Sequence, residues 1–316
     1  MNERTLRQIR EMKKQTIGVE VEMNNITRQK AAQVAAEFFG TNHYEYTGGR
    51  NGYETWSAWD SNHREWKFQK DSSIHGPDSQ KCELVTPILN YDDIETLQEL
   101  CRKLRKSGAK SDATRGCGVH IHIGANGHTP QTLRNLANIM ASHESLLASA
   151  LKLDQRRMQH YCRTVNKTFL ETLNRKKPKT MSALADIWYS SQNASWGRNN
   201  HYNDSRYHML NLHATFTKGT VEFRLFQFDA PTADKKNGIH AGQLKSYIQL
   251  CLALSQMAKD VRTASAKPQQ SENPKYAMRT WLLRLGFIGD EFTTARDFLT
   301  KNLDGDAAFR NGRDAA

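Results

Sequence analysis

Three short stretches of this chain place ionisable side chains two residues apart. Gly18-Val19-Glu20-Val21-Glu22-Met23 carries Glu20 and Glu22, Gly118-Val119-His120-Ile121-His122-Ile123-Gly124 carries His120 and His122, and Thr220-Val221-Glu222-Phe223-Arg224-Leu225 carries Glu222 and Arg224. In an extended chain successive side chains point to opposite faces, so each pair shares one face, with Cα atoms roughly 6.5–7 Å apart. The other face of each stretch is apolar: Val19, Val21 and Met23 in the first, Val119, Ile121 and Ile123 in the second, Val221, Phe223 and Leu225 in the third. A half-buried strand of an antiparallel sheet has this alternation. The residue types set these strands apart, because Glu-Glu, His-His and Glu-Arg bind metals and phosphates. Cys82-Glu83-Leu84-Val85-Thr86-Pro87 adds Glu83 on a fourth strand.

Carboxylates gathered on one face repel one another and stay ionised only with cations between them. Oxygen ligands in that number favour Mg²⁺ or Mn²⁺ over zinc, and one imidazole among them suits either ion. Arg224 offers a planar, two-pronged donor to phosphate oxygens. Carboxylates, divalent cations and an arginine together describe a phosphoryl-transfer site. The sequence contains no GxxxxGK[ST], so a P-loop does not hold the phosphates.

The elements that must position these residues follow from pattern. Residues 16–23, 64–69, 82–86 and 118–124 read as strands, and 43–60, rich in Gly, Tyr and Trp, as a loop or loose hairpin. Residues 28–39 form a helix stopped by Gly40, and 92–107 an amphipathic helix stopped by Gly108. Thr129 caps a long helix to about residue 153, with Pro130 at its first position. Residues 206–216 and 220–228 read as two strands around the turn Lys218-Gly219. Residues 238–261 are helical, 264–274 a linker, 275–302 two further helices, and the tail from 303 frays. Trp66 and Phe68 belong to the core, and Asp71-Ser72-Ser73 is a turn. Strands and helices are mixed rather than alternating, which predicts an α+β fold with a largely antiparallel sheet.

The chain has 316 residues, 38% of them hydrophobic, enough for one large domain or two ordinary ones. Its five cysteines are scattered and form no CxxC, so neither a zinc ribbon nor a disulfide framework is expected, and a reducing cytoplasm is the simplest setting. The charged first residues contain no apolar leader, and no run is long enough to span a membrane. The net charge of +12 is concentrated in 152–179, where nine Lys and Arg face only Asp154 and Glu171. Such a segment is either a solvated face or a recruiting surface for an acidic or polypeptide substrate.

GVEVE, the W…DSS stretch, ELVTP, GVHIHIG and TVEFRLF occur in this order, and together they resemble the signature of the amidoligase family, relatives of glutamine synthetase and glutamate–cysteine ligase. The resemblance runs from about residue 16 to 228, with helices to about 261. It implies a curved sheet of glutamine-synthetase type with helices on its convex face. Its concave face would bind ATP and Mg²⁺ or Mn²⁺, convert a substrate carboxylate to an acyl phosphate, and let an amine attack to form an amide or isopeptide bond. By this resemblance Glu20, Glu22, Glu83 and Glu222 are metal ligands, and His120 or His122 touches a metal or the phosphates. Arg224 steadies the terminal phosphate and Arg206 assists with phosphate or substrate. Lys70, with His122 and Arg224, completes the expected nucleotide contacts. The partners are a carboxylate and an amine, drawn from amino acids, peptides or acidic proteins. Asp71-Ser72-Ser73 departs from the family's D-G-S, and 154–205 matches no motif, so substrate choice is assigned there. The catalytic domain is expected over 1–261, with 152–205 a variable basic segment and 262–316 a linker and helical extension.

Two rival readings exist. A zinc hydrolase could use the HxH of His120 and His122, but no HExxH or second histidine pair supplies the remaining ligand. His143 follows on the long helix, where Glu144 beside it reads as helix surface. A nucleic-acid-binding protein would account for the charge but for none of the paired strands.

Overall fold

The computed structural model describes residues 2–48, 52–232, 238–268 and 271–310. Parts of the expected 43–60 hairpin, 264–274 linker and C-terminal tail therefore lie outside the described residues. The chain divides into two compact units, one of Thr16–His122 with Phe226–Lys245 and one of Met1–Gln15, Ile123–Leu225 and Ser246–Ala316. The first is rich in strands and the second in helices. Elements are numbered in chain order.

The strand-rich unit contains β1 (Ile17–Met23), α2 (Arg28–Phe39), β2 (Tyr44–Gly48), β3 (Thr55–Trp59), β4 (Glu65–Gln69), β5 (Cys82–Val85), α3 (Ile94–Lys106) and the first residues of β6 (Val119–Gly124). Its strands lie in the order β2-β3-β4-β5-β1-β6. The pairs β2–β3, β3–β4, β4–β5 and β5–β1 are antiparallel. The fold is α+β with an antiparallel sheet, as the mixed pattern predicts. Opposite residues share a face. The register sets Glu22 against Glu83 and Glu83 against Gln69. Val21 stands against Leu84 and Leu84 against Phe68, so one side is polar and the other apolar. Helix α2 covers β3 and β4, and α3 packs on α2. The buried face of α2 is Ala31, Ala32, Val34, Ala35 and Ala36, whose small side chains let its backbone approach the sheet. Trp66 and Phe68 fill the space beneath and are fully buried, each contributing about 2–3 kcal/mol. The indole Nε1 of Trp66 donates to Asp60 Oδ2 at 3.0 Å, so the one polar atom of that side chain is satisfied.

The helix-rich unit contains α1 (Glu3–Lys13), α4 (Pro130–Leu151), α5 (Gln155–His160), α6 (Lys167–Lys176), α7 (Met181–Ser190), β7 (Leu210–Asn211), α8 (His213–Thr217), most of β8 (Thr220–Phe226), most of α9 (Ala241–Asp260), α10 (Pro274–Arg284) and α11 (Thr293–Thr300). Helix α4 starts as its sequence predicts, with Thr129 Oγ1 accepting the Thr132 N–H and Pro130 at the first position. Asn135 Nδ2 donates to the Val261 carbonyl at 2.8 Å, tying α4 to the end of α9. Asn138 and Asn174 exchange amide bonds at 2.9 and 2.7 Å, tying α4 to α6.

Two expectations are corrected here, and one element is added. The 206–216 strand is only β7, two residues long, followed by the short helix α8. Its alternation is interrupted because Asn211 Oδ1 accepts the His213 N–H at 2.8 Å, an Asx turn that bends the chain out of the ladder. His143 and Glu144 are not helix surface: they are 9% and 6% exposed, with the His143 ring stacked on Trp281 at 3.9 Å. Residues 3–13, for which sequence pattern assigns no element, form α1, capped by Asn2, whose side chain accepts the Thr5 N–H at 2.9 Å.

Candidate functional site

The polar face of the strand-rich unit gathers six ionisable side chains. β1 supplies Glu20 and Glu22, β5 supplies Glu83, β6 supplies His120 and His122, and the turn after β4 supplies Asp71. Ligand atoms of Glu20, Glu83 and His120 lie within 4.8 Å of one another, and so do those of Glu22, Asp71 and Glu83. The two sets share Glu83.

Hydrogen bonds and close polar contacts orient this cluster. His120 Nδ1 is 3.0 Å from Glu20 Oε2, and His120 Nε2 is 3.7 Å from Glu22 Oε1. His122 Nε2 lies 3.3 Å from Glu20 Oε1. The Gly118 N–H donates to Glu22 Oε2 at 2.6 Å, and Gln69 Nε2 donates to Glu83 Oε2 at 2.8 Å. Burial pushes the Glu83 carboxyl well above its ordinary range, and the charges of Glu20, Asp71 and Glu22 push it further, while the Gln69 hydrogen bond pulls it back. A cation among these oxygens would remove that penalty. Carboxylates with one imidazole fit Mg²⁺ or Mn²⁺, so the residues present suit the ions that the sequence implies.

Asp71 is the member that sequence reasoning assigns elsewhere. It does make the expected turn, its Oδ1 accepting the Ser73 N–H at 2.7 Å and the Ser73 hydroxyl at 2.6 Å. The signal for its second role is parity. Residues 67 and 69 alternate onto one side, Gln69 stands opposite Glu83, and Asp71 follows two residues after the end of the strand.

The remaining candidates lie on other elements. Glu222 and Arg224 are both buried on β8 and pair with each other, Arg224 Nη1 donating to Glu222 Oε1. Asn211 Nδ2 donates to Glu222 Oε2 at 2.6 Å, and the Arg224 guanidinium lies 5.7 Å from the centre of the Tyr207 ring. Arg206 donates to the His201 carbonyl at 3.1 Å and lies over the Tyr202 and Tyr207 rings at 5.5 and 5.7 Å. Lys70 forms ion pairs with Asp78 at 2.7 Å and Glu54 at 3.5 Å, in the group of charges that also holds Arg28. Of the basic segment, Lys176, Lys177 and Lys179 are exposed, whereas Arg157 is buried with Nη2 donating to the Arg224 carbonyl at 3.3 Å. Among the described residues, no helix is long and apolar enough to cross a membrane.

Comparison with known proteins adds the following. The solved structure of a bifunctional glutathione synthetase from Pasteurella multocida is similar with a TM-score of 0.48 at 13% identity, over 96% of this chain and 49% of that one. The chain thus spans about half the length of that enzyme. Comparison with curated protein sequences finds no match. The model of the family described as "Putative amidoligase enzyme" matches residues 13–255, a span that holds all the paired strands and the acidic cluster between them. On that match, the chain belongs to the amidoligase family.

Proposed function

We propose that the protein is an ATP-dependent carboxylate–amine ligase that works with Mg²⁺ or Mn²⁺ and releases ADP. The observation that carries this reading is the pair of overlapping ligand sets, Glu20-Glu83-His120 and Glu22-Asp71-Glu83. Such a cluster is costly for a fold to maintain without cations, because buried like charges destabilise one another. Bound nucleotide and divalent cations would supply a transferable phosphoryl group and the positive charge that shields it. The substrate carboxylate takes the terminal phosphoryl group and ADP departs. The amine then attacks the acyl carbon, loses a proton and displaces inorganic phosphate, leaving the amide.

The chain's own residues have distinct parts in this proposal. Glu20, Glu22, Asp71 and Glu83 hold the cations, with His120 as the nitrogen ligand oriented by Glu20. His122 lies against the other oxygen of Glu20, and family resemblance assigns it to phosphate. Gln69 and the Gly118 N–H keep Glu83 and Glu22 from rotating away. Family resemblance assigns Glu222 to the metals, Arg224 to the transferring phosphoryl group and Arg206 to phosphate or substrate. The Glu222–Arg224 pair supports a guanidinium held in one orientation before the nucleotide arrives. The zinc-hydrolase reading is weaker. Each imidazole is set against a carboxylate, and among the described residues no cysteine or third histidine joins a candidate ligand set.

Thermal melts of the full chain with ATP, with and without Mg²⁺, test the proposal. Binding should raise stability only when both are present, by about 2.7 kcal/mol at a hundredfold excess over Kd. Turnover in the presence of hydroxylamine and the right carboxylate should give a hydroxamate, ADP and phosphate. Formation of AMP and pyrophosphate would refute the acyl-phosphate route.

A further inference from the structure

Outside the acidic cluster, the helix-rich unit contains a polar cavity of about 690 Å³ between α5, the segment leading into α6, and the turn before β7. All of its wall except His208 comes from 154–205, the part of the chain that matches no family motif.

Its floor is His208 and Ser205, 6% and 2% exposed. The His208 Nδ1–H donates to the Thr164 carbonyl at 2.7 Å, which fixes the tautomer and leaves Nε2 as an acceptor. The ring is more than nine-tenths buried and lines the cavity. Burial also holds the His208 pKa down at about 4, so the ring is a neutral acceptor at physiological pH. Ser205 Oγ accepts the indole N–H of Trp188 at 3.0 Å, which turns its own proton into a donor for something else.

The rim carries one charge of each sign. Arg163 is locked there by bonds from Nε to the Tyr207 carbonyl at 3.2 Å and from Nη2 to the Asp204 carbonyl at 3.0 Å, while its remaining nitrogen and its charge stay available. The Asp204 side chain is exposed beside it. An acceptor and a donor on the floor, with a cation and an anion above, match a molecule that carries an ammonium and a carboxylate close together. They match polyphosphate badly, because Asp204 opposes the single guanidinium. They match a lipid or nucleobase badly, because Met158 is the one large apolar side chain of the wall. The volume exceeds a single amino acid and suits a short peptide.

We infer that this cavity is a binding site for a free α-amino acid or the end of a short peptide, with His208 and Asp204 receiving the ammonium and Arg163 and Ser205 the carboxylate. The inference stands apart from the metal-dependent chemistry proposed above, so either can fail without the other.

The test uses the full chain without metal or nucleotide. Each common amino acid, free and as its dipeptide with alanine in both orders, is titrated by calorimetry and by thermal shift. The best binder is then compared with its N-acetyl and C-amide forms. Binding should appear below about 10 mM, and each cap should weaken it by about tenfold or more. Arg163→Gln should weaken binding of the free carboxylate form about tenfold and leave the C-amide form unaffected, and Asp204→Asn should do the same for the ammonium end. Both positions are exposed, and the melt of each variant checks that losing the Arg163 bonds to the Tyr207 and Asp204 carbonyls leaves the fold intact. A variant that melts lower is replaced by Arg163→Met or Asp204→Ser, held to the same criterion. Absence of binding by every probe, or binding indifferent to the caps and to both substitutions, would overturn the inference.

Discussion

Glu144 offers a measurement in which the protein's own geometry sets the magnitude. It lies on α4, 6% exposed, and its Oε1 accepts the Val165 N–H at 2.8 Å. Burial raises its pKa from 4.5 to about 7, and the Val165 hydrogen bond offsets only part of that. A carboxyl whose folded pKa lies above its unfolded value binds a proton on folding. Its contribution to stability is complete below pH 4.5 and is lost as pH rises through about 7. The gap corresponds to about 3 kcal/mol once both states are ionised. Glu144→Gln keeps a carbonyl oxygen for Val165 and removes the charge. The variant should therefore match the parent near pH 4 and exceed it by up to about 3 kcal/mol near pH 9. Urea denaturation across that range, with the difference plotted against pH, gives the answer. A flat difference would mean that Glu144 titrates normally, and a variant less stable at pH 9 would mean that its ionised form is held by something stronger than one N–H.

Three other outcomes are expected. Glu83→Gln should raise the melting temperature of the metal-free protein by relieving repulsion from Glu20, Glu22 and Asp71, and should abolish the shift produced by Mg²⁺ or Mn²⁺ in the same assay. Arg224→Lys keeps the charge but loses the planar fork, so kcat should fall on the order of a hundredfold with KM for ATP nearly unchanged; a change under about threefold would remove Arg224 from the phosphoryl-transfer step. Reversing the exposed Lys176, Lys177 and Lys179 to glutamate should raise KM for an acidic or polypeptide substrate and leave KM for ATP alone, whereas unchanged steady-state kinetics would mark them as a solvated face.

What could be read from sequence here was local alternation, and what could not was the choice between local bonds. β1, β5, β6 and β8 are legible because a period of two with apolar and ionisable faces has one economical reading, and the register brings Glu20, Glu22, Glu83 and the histidines together. Residues 206–216 also alternate, yet the Asn211 side chain captures a backbone N–H two residues on and ends the strand. Asp71 is legible as a turn residue and hidden as a cluster member, since its second role depends on the β4–β5 register. His143 and Glu144 read as surface because a charged pair on a helix normally faces water. Their burial comes from Trp281, 138 positions after His143, and from the Val165 backbone, contacts that no local pattern encodes.

The five cysteines are all buried, and none forms a disulfide. Burial raises the thiol pKa of Cys101 to about 12 and also raises those of Cys82, Cys162 and Cys251. A thiol in that state reacts with an alkylating reagent only after the surrounding structure opens. Cys82, Cys101 and Cys117 lie in the strand-rich unit and Cys162 and Cys251 in the helix-rich one. The chain thus carries its own clocks: the rates at which the two groups become labelled report how often each unit breathes, without an introduced probe. Ligands that tighten one unit should slow one set of clocks and leave the other running, which would show where an unidentified substrate binds before its chemistry is known.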